Sequence, residues 1–197
     1  IKEAANKNIK IVVGPVFSSS LPAIEDVVKT NKMVVISFSN NTDLANKKGI
    51  FLIGFFPEQQ IEKIVSYEIS KGRNNFSILA PNNQYGLRIS DILKETVKRK
   101  DGNFVTSEFY LNSKDLEKTS ERIVNAFIVP ERIYESGKKN KKSEVGLKEE
   151  DKIYSDTILI PESGEYLSKI VAAIKKHNTH ERDFKIIGSN QWDDIST

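Results

Sequence analysis

The sequence predicts an α/β protein built on parallel, doubly wound sheets, and three observations carry that expectation. Short apolar runs alternate with helical patterns along most of the chain. Those runs, IVV (11–13), VVI (34–36), FSILA (76–80), TILI (157–160) and IIG (186–188), are continuous rather than alternating, as expected of strands covered by helices on both faces. Each is followed by a small, polar or amide-rich loop, and in an open α/β sheet the loops at carboxyl strand ends are where ligands bind.

Taken in order, strand 9–14 (IKIVVG) leads into Pro15, Val16, Phe17 and the hydroxyl run Ser18, Ser19 and Ser20. A helix over 21–31 is expected from Leu21, Pro22, Ile24 and Val27, with Ser20 capping it and Pro22 in its first turn. Hydroxyls and unsatisfied N–H groups at that helix start would favour an anionic ligand group. Strand 33–38 and a short strand 50–55 follow. Pro57 and Glu58 open a helix over 58–71, on which Ile61, Ile64, Val65 and Ile69 fall at helical spacing. The pattern restarts there as a fresh βαβα run, so a lobe boundary is expected near residue 56. The second lobe is read as strand 75–80, helix 87–99, strand 103–110, helix 114–127, strand 156–160, helix 164–177 and strand 183–188.

Segment 129–154 breaks the alternation. It holds Pro130, Gly137 and Gly146, a basic run at Lys138, Lys139, Lys141 and Lys142, and an acidic cluster at Glu149, Glu150 and Asp151. It reads as a solvated insertion, with a basic docking loop for lipid or an acidic polymer as the alternative.

Composition narrows the function classes. Of 197 residues, 38% are hydrophobic and 29% charged, which suits a globular protein with one large or two small cores. The excess of 30 basic over 27 acidic residues is too small to imply nucleic acid as a partner. No apolar run approaches the roughly 18 residues of a membrane span. With no cysteine, disulfides, thiol catalysis and thiolate metal sites are excluded. The chain opens on Ile1 and stops in a loop after a strand, so an internal fragment of a longer protein is expected, with any secretory or lipid-anchoring signal lying outside it.

The candidate site residues sit in the strand-end loops. Ser18 leads the first hydroxyl run, for which a simple helix cap and a hold on a ligand carboxylate both remain open. Ser39, Asn40 and Asn41 follow the second strand and combine donors with acceptors, as a zwitterion or a sugar requires, although such residues are also good turn formers. Tyr85 would cover a ligand from another wall, with Gly86 freeing the backbone before the helix. Trp192 is either a packing anchor or a stacking platform. Glu162, Glu165, Asp193 and Asp194 are the carboxylates at strand ends. Neither G-x-S-x-G nor S-x-x-K surrounds the serines, G-x-G-x-x-G and the P-loop are absent, and His177 and His180 lack H-E-x-x-H spacing. No catalytic residue, cofactor or metal is therefore assigned.

IVVGPVFSSSLPAIEDVVKTNKMVVISFSNNTDL, FPEQQIEKIVSYE and FSILAPNNQYGLRISDILKETV together resemble the type I periplasmic solute-binding proteins, the leucine/isoleucine/valine-binding receptors of ABC transporters. The tail, DTILIPESGEYL and FKIIGSNQWDD, is similar to an α-proteobacterial branch of that family labelled penicillin-binding protein activators. The resemblance implies two Rossmann-like lobes, with residues 1–56 the later part of lobe one and 57–197 most of lobe two, and a small polar ligand such as an amino acid or peptide held between them. It implies a periplasmic, non-enzymatic receptor whose partner is a membrane permease, or alternatively an envelope regulator that activates a peptidoglycan synthase by contact. It places Ser18 on the ligand carboxylate, Ser39, Asn40 and Asn41 on carboxylate and ammonium, and Tyr85 and Ser163 in the second-lobe wall. The family's acidic partner for the ammonium falls at Asn190, and a neutral amide there argues against a branched-chain amino acid, because an unpaired buried ammonium costs kilocalories.

Overall fold

The computed structural model describes residues 1–39, 41–45, 47–130 and 147–193. The chain divides into two compact units, Ile1–Gln60 and Ile61–Thr197. The division falls inside a helix, whereas the sequence places the boundary at residue 56, before that helix begins.

Unit 1 is a three-stranded parallel sheet in the order β1-β2-β3, formed by β1 (Ile11–Val13), β2 (Val34–Ser37) and β3 (Ile50–Leu52). Helices α1 (Lys2–Asn6) and α2 (Glu25–Thr30) both pack on one face. Leu21, Val28, Met33, Val35 and Ile50 are buried there, with Ala4, Ala5, Val12 and Leu52 against them. The expected helix over 21–31 is not continuous. Ser18–Ser20 and Pro22–Ile24 form two 3-10 turns and α2 starts only at Glu25. No side chain caps either turn, so the expected Ser20 cap is also corrected: the backbone closes each turn itself, Ser20 N donating to the Phe17 carbonyl at 3.1 Å and Ile24 N to that of Leu21 at 3.2 Å.

The expectation of two covered faces fails for this sheet. Residues alternate strictly across it, and because both helices lie on the Val12 side, Ile11, Val13 and Phe51 are left 62%, 64% and 58% exposed on the other.

Unit 2 meets that expectation. Its sheet runs β5-β4-β8-β9, all parallel, with β4 (Asn75–Pro81), β5 (Asn103–Tyr110), β8 (Thr157–Ile160) and β9 (Lys185–Gly188). Helices α3 (Pro57–Ser70) and α4 (Gln84–Arg99) cover one face, where Ile61, Val65, Ile89, Leu93 and Val97 meet Phe76, Ile78, Ala80 and Leu159. Helices α5 (Leu116–Asn125) and α6 (Gly164–His177) cover the other, where Ile123, Ile170 and Ile174 meet Leu79, Ile158 and Ile160. Burial on both sides is why these strands carry unbroken apolar runs.

At the amino ends of β4 and β8, the Asp156 carboxylate accepts from the backbone of Asn74 and Asn75 at 2.9 and 3.1 Å and from the Asn75 side chain at 3.0 Å. This fixes the start of both strands. The sequence does not reveal the short antiparallel ladder of β6 (Phe127–Ile128) and β7 (Ile153–Tyr154), which forms the stem of the insertion. Its basic run at Lys138 to Lys142 lies outside the described residues. Among the described residues, no helix is long and apolar enough to cross a membrane.

Candidate functional site

In each unit the loops singled out from sequence come together at the carboxyl ends of the strands. In unit 1, the chain leaving β1 and the chain leaving β2 are tied by three hydrogen bonds: Gly14 N to the Ile36 carbonyl (2.8 Å), Phe38 N to the Pro15 carbonyl (3.2 Å), and the Ser37 hydroxyl to the Pro15 carbonyl (2.7 Å). Ser18 lies in the first loop, half-buried, and among the described residues its hydroxyl takes no hydrogen-bond partner. Ser39 is buried in the second loop, and its hydroxyl accepts from Asn41 N at 3.1 Å, so it shapes that turn itself. Asn41 is half-buried beside it. Asn40 lies outside the described residues.

In unit 2 the strand order reverses beside β4, which places the topological switch point between the ends of β4 and β8. Tyr85 stands in the first turn of α4, after the β4 loop. Asn83 caps that helix, accepting from Gly86 N at 2.9 Å. Gly86 is required by closeness: a Cβ there would lie 2.0 Å from the Pro81 carbonyl oxygen. The Ser189 side chain, just past β9, hydrogen-bonds the Tyr85 hydroxyl. Burial pushes that hydroxyl's pKa above its ordinary value, the Ser189 bond opposes the shift, and the nearby charge of Glu162 adds to it.

Ser163 and Glu162 follow β8. Ser163 is the N-cap of α6 but makes no side-chain cap bond. Glu162 is half-buried; one carboxylate oxygen accepts the Tyr110 hydroxyl from the end of β5, and the other accepts Ser163 N at 3.1 Å. Tyr110 is buried and stacks on Tyr166 of α6, with centroids 5.8 Å apart and planes at 18°. Its hydroxyl is pushed well above the usual phenol range, first by burial and then by the bond to Glu162 and that group's charge. Trp192 donates its indole N–H to the Ile160 carbonyl at 2.9 Å and its ring packs flat against Gly188, where a Cβ would sit 2.1 Å from ring carbons. It is the packing anchor of the two readings. Asn190 is exposed on the 3-10 turn Asn190–Asp193.

The structure thus gathers Ser18, Ser39 and Asn41 at one rim of unit 1, and Tyr85 and Ser163 at the rim of unit 2, where Asn190 directly follows Ser189. Sequence reading missed Tyr110 and Tyr166 and left Glu162 without a role. A signal existed for two of them, since parallel neighbours bring the ends of consecutive strands together and Tyr110 and Glu162 each stand at such an end. A hollow of about 890 Å³ in unit 2, lined by Phe127, Lys152, Tyr154, Asp156 and Arg182, lies at the opposite, amino end of the sheet. His177 pairs with Glu117 of α5 at 2.7 Å, and among the described residues no group of three metal-ligating side chains forms.

Parallel sheets whose polar loops converge at carboxyl strand ends define an α/β protein organised for ligand contact at those ends. Residues 2–126 match the family model described as periplasmic binding protein, and the chain belongs to that family. An uncharacterized protein of Rickettsia prowazekii is 31% identical over 128 residues, 64% of this chain and 34% of its own length. Penicillin-binding protein activator LpoA of Vibrio antiquarius is 24% identical over 117 residues, 57% of this chain and 19% of its own. Among solved structures, an ABC transporter substrate-binding protein from Desulfitobacterium hafniense superposes with a TM-score of 0.64 at 15% identity, covering 98% of this chain and 50% of that one. The chain therefore spans a third or less of the curated relatives it matches.

Proposed function

We propose that this chain is the ligand-contacting part of a periplasmic receptor that captures a small polar molecule, an amino acid or peptide-like compound, and hands the occupied form to a membrane permease. The observation that carries this reading is the gathering of hydroxyl, amide and tyrosine side chains at carboxyl strand ends in both units of a periplasmic binding protein. In this reading the rims of units 1 and 2 hold the same ligand, and they are the two lobes of the family fold. Ligand binding shifts the population toward a closed form in proportion to its differential affinity for that form. No group transfer is involved, and the role is non-enzymatic.

The test is melting of the full-length protein against a panel of amino acids, short peptides and cell-wall fragments. Ser18→Ala is expected to abolish a ligand-induced rise in melting temperature while leaving the unliganded melting temperature within about 2 °C, because the lost hydroxyl takes no partner within the described protein. A ligand whose stabilisation survives Ser18→Ala removes that residue from the site. The similarity to LpoA of Vibrio antiquarius favours a second reading, an envelope regulator that activates a peptidoglycan synthase through its surface. Saturable capture of a synthase that ignores Ser18→Ala, with no panel member stabilising the protein, decides for it.

A further inference from the structure

The rim of unit 2 holds a half-buried carboxylate whose charge is answered only by neutral groups. Glu162 accepts the Tyr110 hydroxyl on one oxygen and the Ser163 amide on the other. Among the described residues no lysine, arginine or histidine pairs with it. The other acidic groups near these strand ends are engaged: Asp115 accepts Leu111 N at 3.1 Å, and Glu165 pairs with Lys169 at 2.6 Å. The first turn of α6 and two neutral donors hold Glu162 in place, but each oxygen keeps a lone pair for a further donor.

We propose that Glu162, held by Tyr110, is the anchor for a cationic ammonium group of the ligand. This rests on the receptor reading and adds the charge of the group that unit 2 selects.

The surroundings define the chemistry. A single carboxylate balances a monocation, and no second or third acidic or imidazole ligand stands by to make a divalent metal site among the described residues. The neighbours are phenol rings: Tyr110 stacked on Tyr166, and Tyr85 close enough for its hydroxyl to respond to the charge of Glu162. Aromatic faces beside a carboxylate suit an ammonium, which gains ring attraction as well as a charge-assisted hydrogen bond. Tyr110 is a positioning residue here. Buried and stacked, it fixes one carboxylate oxygen and leaves the remaining lone pairs to the ligand. Asn190, exposed on the neighbouring turn, supplies no charge.

The experiment compares matched probes on the full-length protein by calorimetric titration: leucine against 4-methylpentanoate, and alanyl-leucine against N-acetyl-alanyl-leucine. In the wild type, removing or acylating the ammonium is expected to weaken binding by at least about tenfold. In Glu162→Gln, which keeps an acceptor for Tyr110, the ammonium forms lose that advantage and the two members of each pair converge. Tyr110→Phe is expected to reduce the discrimination without erasing it. Three results overturn the proposal. The wild type binds both members of a pair equally, in which case the receptor reading stands without a cation anchor. Glu162→Gln keeps the full discrimination, which would reduce Glu162 to a support for α6. No ammonium-bearing probe binds up to roughly 10 mM; if the uncharged analogues also fail, the receptor reading for this ligand class falls with it.

Discussion

Replacing Phe76 by alanine is expected to destabilise unit 2 by about 3–5 kcal/mol, the largest effect of any single truncation in the chain. Phe76 is fully buried in β4, paired with Phe104 of β5 on one side and Thr157 of β8 on the other. Its ring belongs to the cluster of Ile61, Val65, Leu93, Val97 and Leu159, contributed by two helices and a neighbouring strand. A backbone paired on both edges has little freedom to collapse into the space a ring vacates, so the cavity persists and its cost adds to the lost transfer energy. Trp192, the only tryptophan, lies in unit 2, so its fluorescence in urea reports on this unit selectively. Phe76→Leu, which keeps most of the volume, is expected to cost less than about 1.5 kcal/mol on the same assay. A Phe76→Ala loss below about 1 kcal/mol would mean that β4 is not the centre of this core.

The second large effect falls at the rim. Gly86→Ala would put a Cβ 2.0 Å from the Pro81 carbonyl oxygen and 3.1 Å from its carbon, both backbone atoms. Pro81 cannot yield easily, because it is the last residue of β4 in register with Tyr110, and Asn82 N is bonded to the Tyr110 carbonyl at 2.8 Å. Relief must come from the first turn of α4, at the expense of the Asn83 cap and of the position of Tyr85. Overpacking of this kind costs about 1–3 kcal/mol, and loss of the cap about 1 kcal/mol more. The urea midpoint is expected to fall while the slope of the transition stays unchanged, with ligand affinity reduced beyond what stability alone explains. A variant as stable as the wild type would show that α4 is free to move away from β4.

What could be read in the sequence follows from where burial is complete. The strands of unit 2 are covered on both faces, so their apolar runs and the helical spacing of Ile61, Val65, Leu93 and Ile170 pointed to a doubly wound parallel sheet before any coordinates. The start of α2 was misjudged because Leu21, Pro22 and Ile24 satisfy helical periodicity while the backbone takes two 3-10 turns, which bury the same side chains with a different hydrogen-bond pattern. The open face of β1, β2 and β3 was illegible for a related reason: apolar residues on both sides of a strand do not say which side a helix covers. Single-loop motifs exposed Ser18, Ser39 and Tyr85. Tyr110 and Glu162 escaped because their partnership crosses 52 positions of chain and depends on the ends of β5 and β8 both lying at one rim.

The central claim is that hydroxyl-bearing loops of unit 1 and tyrosine-bearing loops of unit 2 hold one ligand. Amide hydrogen exchange on the full-length protein, with and without a stabilising panel compound, tests it most directly. The account predicts that protection rises together, at the same ligand concentration, in loops 15–20 and 37–45 of unit 1 and in 81–86, 161–166 and 189–192 of unit 2. Protection confined to one unit, or centred on the β6–β7 stem at the opposite end of the second sheet, would contradict it.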